Sequence, residues 1–131
     1  MWKTERYRHE WKYLIDTAQK EAICSRLEPM MQLDPHAVNG GYTLRSLYFE
    51  DYFHSAYSEK DAGVLLRKKY RIRIYDYSDR SIKLERKKKT GSYIFKESAR
   101  LTRQQVYQIL EGDYGFLLVS DQPLCREFYY E

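Results

Sequence analysis

The chain has 131 residues, 43% of them hydrophobic and 16% aromatic, enough for one domain with its own core and with no apolar run near the roughly 20 residues of a membrane span. Its net charge of +4 is unevenly placed: residues 66–100 hold 13 Lys and Arg against four acids, a net of +9, which leaves −5 for the rest. Such asymmetry argues about partners rather than fold, and here it argues for an anion.

In chain order, Arg6 to Ile15 alternates. Arg8, Glu10 and Lys12 share one side and Tyr7, His9, Trp11 and Tyr13 the other, so the stretch reads as a strand. Asp16 is a good N-cap, and Ala18, Ala22, Ile23, Leu27, Met30 and Met31 recur at helical spacing. A helix is expected over 17–32, kinked or shortened by Pro29. Turn residues Asp34-Pro35 and Asn39-Gly40-Gly41 precede a second strand over 42–49. Residues 51–62 read as a polar loop with one helical turn, closed by Gly63. Three strands follow, with turns at Ser78-Asp79 and Thr90-Gly91. Thr102 to Gln105 is a capping box that opens a helix carrying Val106, Ile109 and Leu110 and ended by Gly112. Residues 115–119 fit a short strand or a helical turn, and 123–131 a last helix or a tail.

The three middle strands carry the charge. Arg71 and Arg73 share one face and Ile72 and Ile74 the other; Lys83, Glu85 and Lys87 oppose Ile82 and Leu84; Tyr93 to Glu97 adds Lys96. Strands lie about 5 Å apart, so these cations form a two-dimensional array. The expected fold is α+β, an antiparallel sheet with flanking helices. A cationic face cannot be buried in an ordinary core, so the sheet is expected to curl into a closed or half-closed barrel with a wet lumen.

Other chemistry is not signalled. There is no GxxxxGK, GxGxxG or GxSxG, and Lys89-Thr90-Gly91 has no SxxK to make it a β-lactamase-type motif. His9, His36 and His54 lack metal-ligand spacing, and Cys24 and Cys125 fit no CxxC pattern, reading as thiols of a reducing compartment. The charged stretch Met1 to Arg6 precedes no signal-peptide core, so the expected location is cytoplasmic. What remains is cations on strands with Glu10 and Glu85 among them, a face suited to phosphoryl groups.

Four stretches in order, Arg8 to Tyr13, Leu44 to Asp51, Tyr70 to Tyr75, and Leu84 to Lys87 with Lys96-Glu97, resemble the catalytic domain of the vacuolar transporter chaperone (VTC) family, found in polyphosphate polymerase proteins and grouped with the triphosphate tunnel metalloenzymes. The resemblance implies an antiparallel tunnel that binds triphosphate or polyphosphate. It implies phosphoryl transfer from a nucleoside triphosphate to polyphosphate, assisted by a divalent metal, Mn or Mg. By position it makes Lys12, Arg71, Arg73 and Lys87 catalytic, with Lys12 on the transferred group. Arg45, Lys83 and Lys96 join them in binding phosphate, and Glu10 and Glu85 are the metal candidates. The first acid of the superfamily's ExExK pattern is Arg8 here. The resemblance makes the chain the expected N-terminal half of such a domain, whose other half carries the principal metal carboxylates.

Three other readings stand beside this one. The scaffold also suits a tripolyphosphate or nucleoside triphosphate hydrolase, or a non-catalytic polyphosphate-binding module. Nucleic acid is set aside, because most tyrosines pair with the apolar faces of their strands. Glu85 has a plainer role open to it, offsetting the repulsion between Lys83 and Lys87. Folded alone, a half-tunnel leaves open sheet edges, and a homodimer is expected.

Overall fold

The computed structural model describes residues 6–37 and 39–131; of the charged N-terminal stretch only Arg6 lies within it. The chain divides into two compact units, Glu10–Tyr42 and the remainder.

The smaller unit holds one helix, α1 (Thr17–Leu27). Asp16 caps it as expected: its Oδ1 accepts from the Gln19 N–H at 2.7 Å, and Gln19 Oε1 accepts from the Asp16 N–H at 3.0 Å. The helix stops five residues short of the expected Gln32. Pro29 has no N–H to donate, and Met30 and Met31 turn their N–H groups onto the Leu27 carbonyl instead. None of the helix is buried within the described residues.

The larger unit is built on one antiparallel sheet. Its strands are β1 (Arg8–His9), β2 (Leu44–Tyr48), β3 (Leu66–Tyr75), β4 (Ser78–Thr90) and β5 (Tyr93–Leu101), in the order β1-β5-β4-β3-β2. The strand expected over 6–15 reduces to two residues. Arg8 faces Ile94 and His9 faces Tyr93, where β5 begins, and the next partner position falls in a hairpin loop. The β3–β4 hairpin turns on Asp76-Tyr77, at φ of 51° and 56°, not on the expected Ser78-Asp79, because Ser78 already pairs with Tyr75. Thr43 fixes that turn: its N–H donates to Asp76 Oδ1 at 2.8 Å and its carbonyl accepts the Asp76 N–H at 2.8 Å. Gly91, at φ +58°, starts the two-residue loop of the β4–β5 hairpin.

Helices cover one face of the sheet. The core joins Tyr70, Ile72, Ile82, Leu84, Ala99 and Leu101 to Ile109 of α3 (Arg103–Leu110), Leu117 of α4 (Gly115–Leu118), and Leu124 and Cys125 of α5 (Pro123–Tyr130). The Thr102 capping box forms: Thr102 Oγ1 accepts from the Gln105 N–H at 3.2 Å and Gln105 Oε1 accepts from the Thr102 N–H at 2.9 Å. The polar loop before β3 contains a fuller helix than one turn, α2 (Ser55–Asp61). Its first N–H groups donate to Asp51 Oδ1 and to both Glu50 oxygens, at 2.8–3.0 Å. These bonds, that of Ala56 foremost, hold the Glu50 carboxyl below its ordinary pKa.

The expected barrel does not close among the described residues. β1 and β2 each pair on one side only, so the sheet is open. No described helix is long and apolar enough to cross a membrane.

Candidate functional site

The face turned away from α3, α4 and α5 is the basic one, and the ladder arranges its side chains in rows. Arg73 pairs with Lys83, which pairs with Arg100; Arg71 with Glu85, then Ser98; Lys69 with Lys87, then Lys96. β2 extends two of these rows, Ser46 beside Arg73 and Tyr48 beside Arg71. Period-two alternation does this sorting, sending Ile72 and Leu84 to the core while Arg71 and Arg73 stay part-exposed. Within these three rows, β3, β4 and β5 contribute one acid, Glu85.

Glu85 is 1% exposed and works as a brace. Its Oε2 accepts from Arg71 Nε at 2.7 Å and lies 2.6 Å from Arg71 Nη2, while Oε1 lies 3.9 Å from Lys96 Nζ. Arg71 Nη1 also donates to the Tyr48 hydroxyl at 3.1 Å. Burial works against the Arg71 charge, but the bonds to Tyr48 and Glu85 outweigh it and its pKa is raised. The same Arg71 bond, helped by the charges of Arg71, Arg73 and Lys69, lowers that of the Tyr48 phenol. Arg73 Nε donates to Ser46 Oγ at 3.1 Å. The result is a row of guanidinium and ammonium groups pre-aimed by three strands, suited to binding an extended anion.

The expected site residues divide. Arg71, Arg73, Lys83, Lys87 and Lys96 come together on this face with Glu85. Arg45 does not: it faces Ile74, and alternation places it on the opposite side of the sheet beside Leu47. Glu10 and Lys12 belong to the smaller unit, where they lie 3.8 Å apart as an ion pair. Ser46, Tyr48 and Lys69 are added by the structure. Strand alternation separates them from their neighbours, but only the register shows which face they share.

Among the described residues, the acids on this face do not by themselves make up a divalent-cation donor set. Among the described residues no three His, Cys, Asp or Glu side chains gather. Glu85, taken by itself, already gives one oxygen to a guanidinium and turns the other toward an ammonium. A Mn or Mg ion there would meet one carboxylate oxygen not bonded to Arg71, Oε1, with a guanidinium and an ammonium beside it.

Behind the sheet lies a second charged cluster that the basic run conceals. Arg86 is 4% exposed on the helix side. Its Nε donates to Glu97 Oε2 at 2.6 Å, and its Nη1 donates to the Tyr70 hydroxyl at 3.2 Å and to Glu127 of α5. Every arm of the fork is bound, so this arginine holds the fold and is not offered to a ligand.

The family model described as VTC domain matches residues 7–130. No curated protein and no solved structure matches the chain.

Proposed function

The chain belongs to the VTC domain family, and on that footing we propose that its basic face binds a polyphosphate chain and serves transfer of the terminal phosphoryl group of a nucleoside triphosphate to that chain. The observation that carries the reading is the set of rows. Arg71, Arg73, Lys83, Lys87 and Lys96 come from three strands onto one face, with one acid among them. In the transfer, a terminal polyphosphate oxygen forms a bond to the γ-phosphorus, the bond to the β,γ-bridging oxygen breaks, and the diphosphate leaves. Charge then spreads over the non-bridging oxygens, where fixed guanidinium and ammonium groups are of most use. Arg71 and Arg73 clamp phosphate, and Lys87 and Lys96 neutralise the neighbouring groups.

Incubation with ATP and Mn²⁺ or Mg²⁺, with polyphosphate, ADP and free phosphate resolved, tests the reading. New polyphosphate supports transfer. Free phosphate alone supports a hydrolase on the same scaffold. Binding without either product leaves a polyphosphate-binding module.

Adjacent residues of β3 should behave oppositely. Arg73→Ala is expected to weaken tripolyphosphate binding by about 1.5–3 kcal/mol, the range for hydrogen bonds to charged groups. Ile72→Ala, at a buried core position, is expected instead to lower stability by about 2–5 kcal/mol. Calorimetry and denaturant titration on both variants separate the two effects, and an exchange of them would show the faces to be misassigned.

Binding should also fall steeply with ionic strength, because several cations meet one polyanion and counterions are released. A flat affinity between low and physiological salt would remove the basic face as the site.

The expected homodimer is part of the same proposal. Among the described residues β2 keeps one side without a strand partner, and edge pairing between two copies would cover it. Light scattering that finds only monomer at micromolar concentration rules it out.

A further inference from the structure

Beyond the three rows, the basic face continues toward the start of β3. Arg67 pairs with Lys89 across the β3–β4 ladder, one row past Lys69 and Lys87. On β3 and β4 these two rows contain no acid; the next acid is Glu85, which is bound to Arg71 and Lys96. Among the described residues Arg67 Nε is buried and has no hydrogen-bond partner. A buried guanidinium donor left unpaired is costly, and an anion beside Arg67 would supply the acceptor that the described residues do not. Cations crowd this end of the ladder as well. Burial, then the charges of Lys60, Arg67 and Lys87, lower the pKa of Lys69 against the small opposing influence of Tyr48.

We propose that Arg67, Lys69, Lys87 and Lys89 form a second anion subsite, which holds phosphates of the same chain beyond those clamped by Arg71 and Arg73, so that the face selects long linear polyphosphate over tripolyphosphate. The inference rests on the polyphosphate reading above and specifies its substrate. Arg67 to Arg73 are six residue steps apart, roughly 20 Å of strand. One row spacing is roughly 7 Å, which is all that a three-phosphorus chain reaches across. A long chain occupies both ends at once, and the second contact becomes intramolecular, with the gain of effective concentration that brings. A tripolyphosphate fills one end or the other.

The test is calorimetric affinity, per phosphate, of the full chain for tripolyphosphate and for a linear polyphosphate long enough to span the face. Wild type is expected to favour the long chain. Arg67→Gln is expected to reduce that preference by about tenfold or more, the lower bound for losing a charge-assisted contact. Lys89→Gln, an independent removal from the same row, should act in the same direction and covers the case in which the Arg67 variant folds poorly. Arg80→Gln, an exposed cation outside the rows, removes one charge as a control. The second subsite is overturned if wild type shows no preference, if Arg67→Gln and Lys89→Gln keep it, or if Arg80→Gln lowers it equally. In each of these the polyphosphate reading survives. If wild type binds neither chain, that reading falls too.

Discussion

Replacing Arg86 with alanine is expected to cost about 3 kcal/mol of stability, at the low end of what breaking a buried ion pair costs. The low end applies because the partners are not equally buried. Arg86 is nearly inaccessible, whereas the Glu97 side chain is 27% exposed and that of Glu127 52% exposed, so water can take over part of what the guanidinium supplied. Three losses add up. Glu97 loses the donors at 2.5 and 2.6 Å, the Tyr70 hydroxyl loses its partner, and α5 loses its polar tie to the sheet through Glu127. Tyr70 also loses the guanidinium lying 5.9 Å from its ring centre. Arg86→Met keeps much of the packing of the stem, and its cost compared with alanine separates lost packing from lost pairing. Because Arg86 is on the helix side, the folded fraction of either variant should bind tripolyphosphate as wild type does. Urea denaturation with calorimetry on the folded protein checks both halves. Weaker binding at undiminished stability would put Arg86 on the wrong face.

The contrast between Arg86 and its neighbour Lys87 marks where sequence reading stops. Alternation alone separates Arg71 and Arg73 from Ile72 and Ile74; Ile72 is buried in the core and Ile74 packs partly buried against it. The same alternation places Arg86 with Leu84, but what makes a buried arginine tolerable is Glu97 and Glu127, 11 and 41 residues away. No local pattern contains them. Arg45 shows the complementary limit. Its own strand alternates cleanly, yet which face is the basic one depends on its register against Ile74. The caps at Asp16 and Thr102 were legible because a cap is a bond between residues three apart. The strand over 6–15 was overextended because its length depends on how far β5 runs beside it, and β5 begins at Tyr93.

Glu85 is where stability and binding should diverge. With Glu85→Ala, a part-buried Arg71 loses the carboxylate on its Nε and Nη2, and Lys96 loses its nearest brace. Without ligand this should cost about 3–5 kcal/mol, the range for stranding one member of a buried pair. A bound phosphate is a second acceptor for the same guanidinium, so tripolyphosphate should restore more stability to the variant than it adds to wild type. Glu85→Gln is the finer probe. It keeps an oxygen for Arg71 Nε, removes the only negative charge from the central rows, and should bind tripolyphosphate more tightly than wild type at low salt. If Glu85 instead serves a divalent metal, glutamine should leave the stability of the metal-free protein close to that of wild type. Its defect would then lie in Mn²⁺-dependent turnover. Denaturation with and without tripolyphosphate, on both variants and with metal chelated, distinguishes the two. An alanine variant as stable as wild type without ligand would end the brace interpretation.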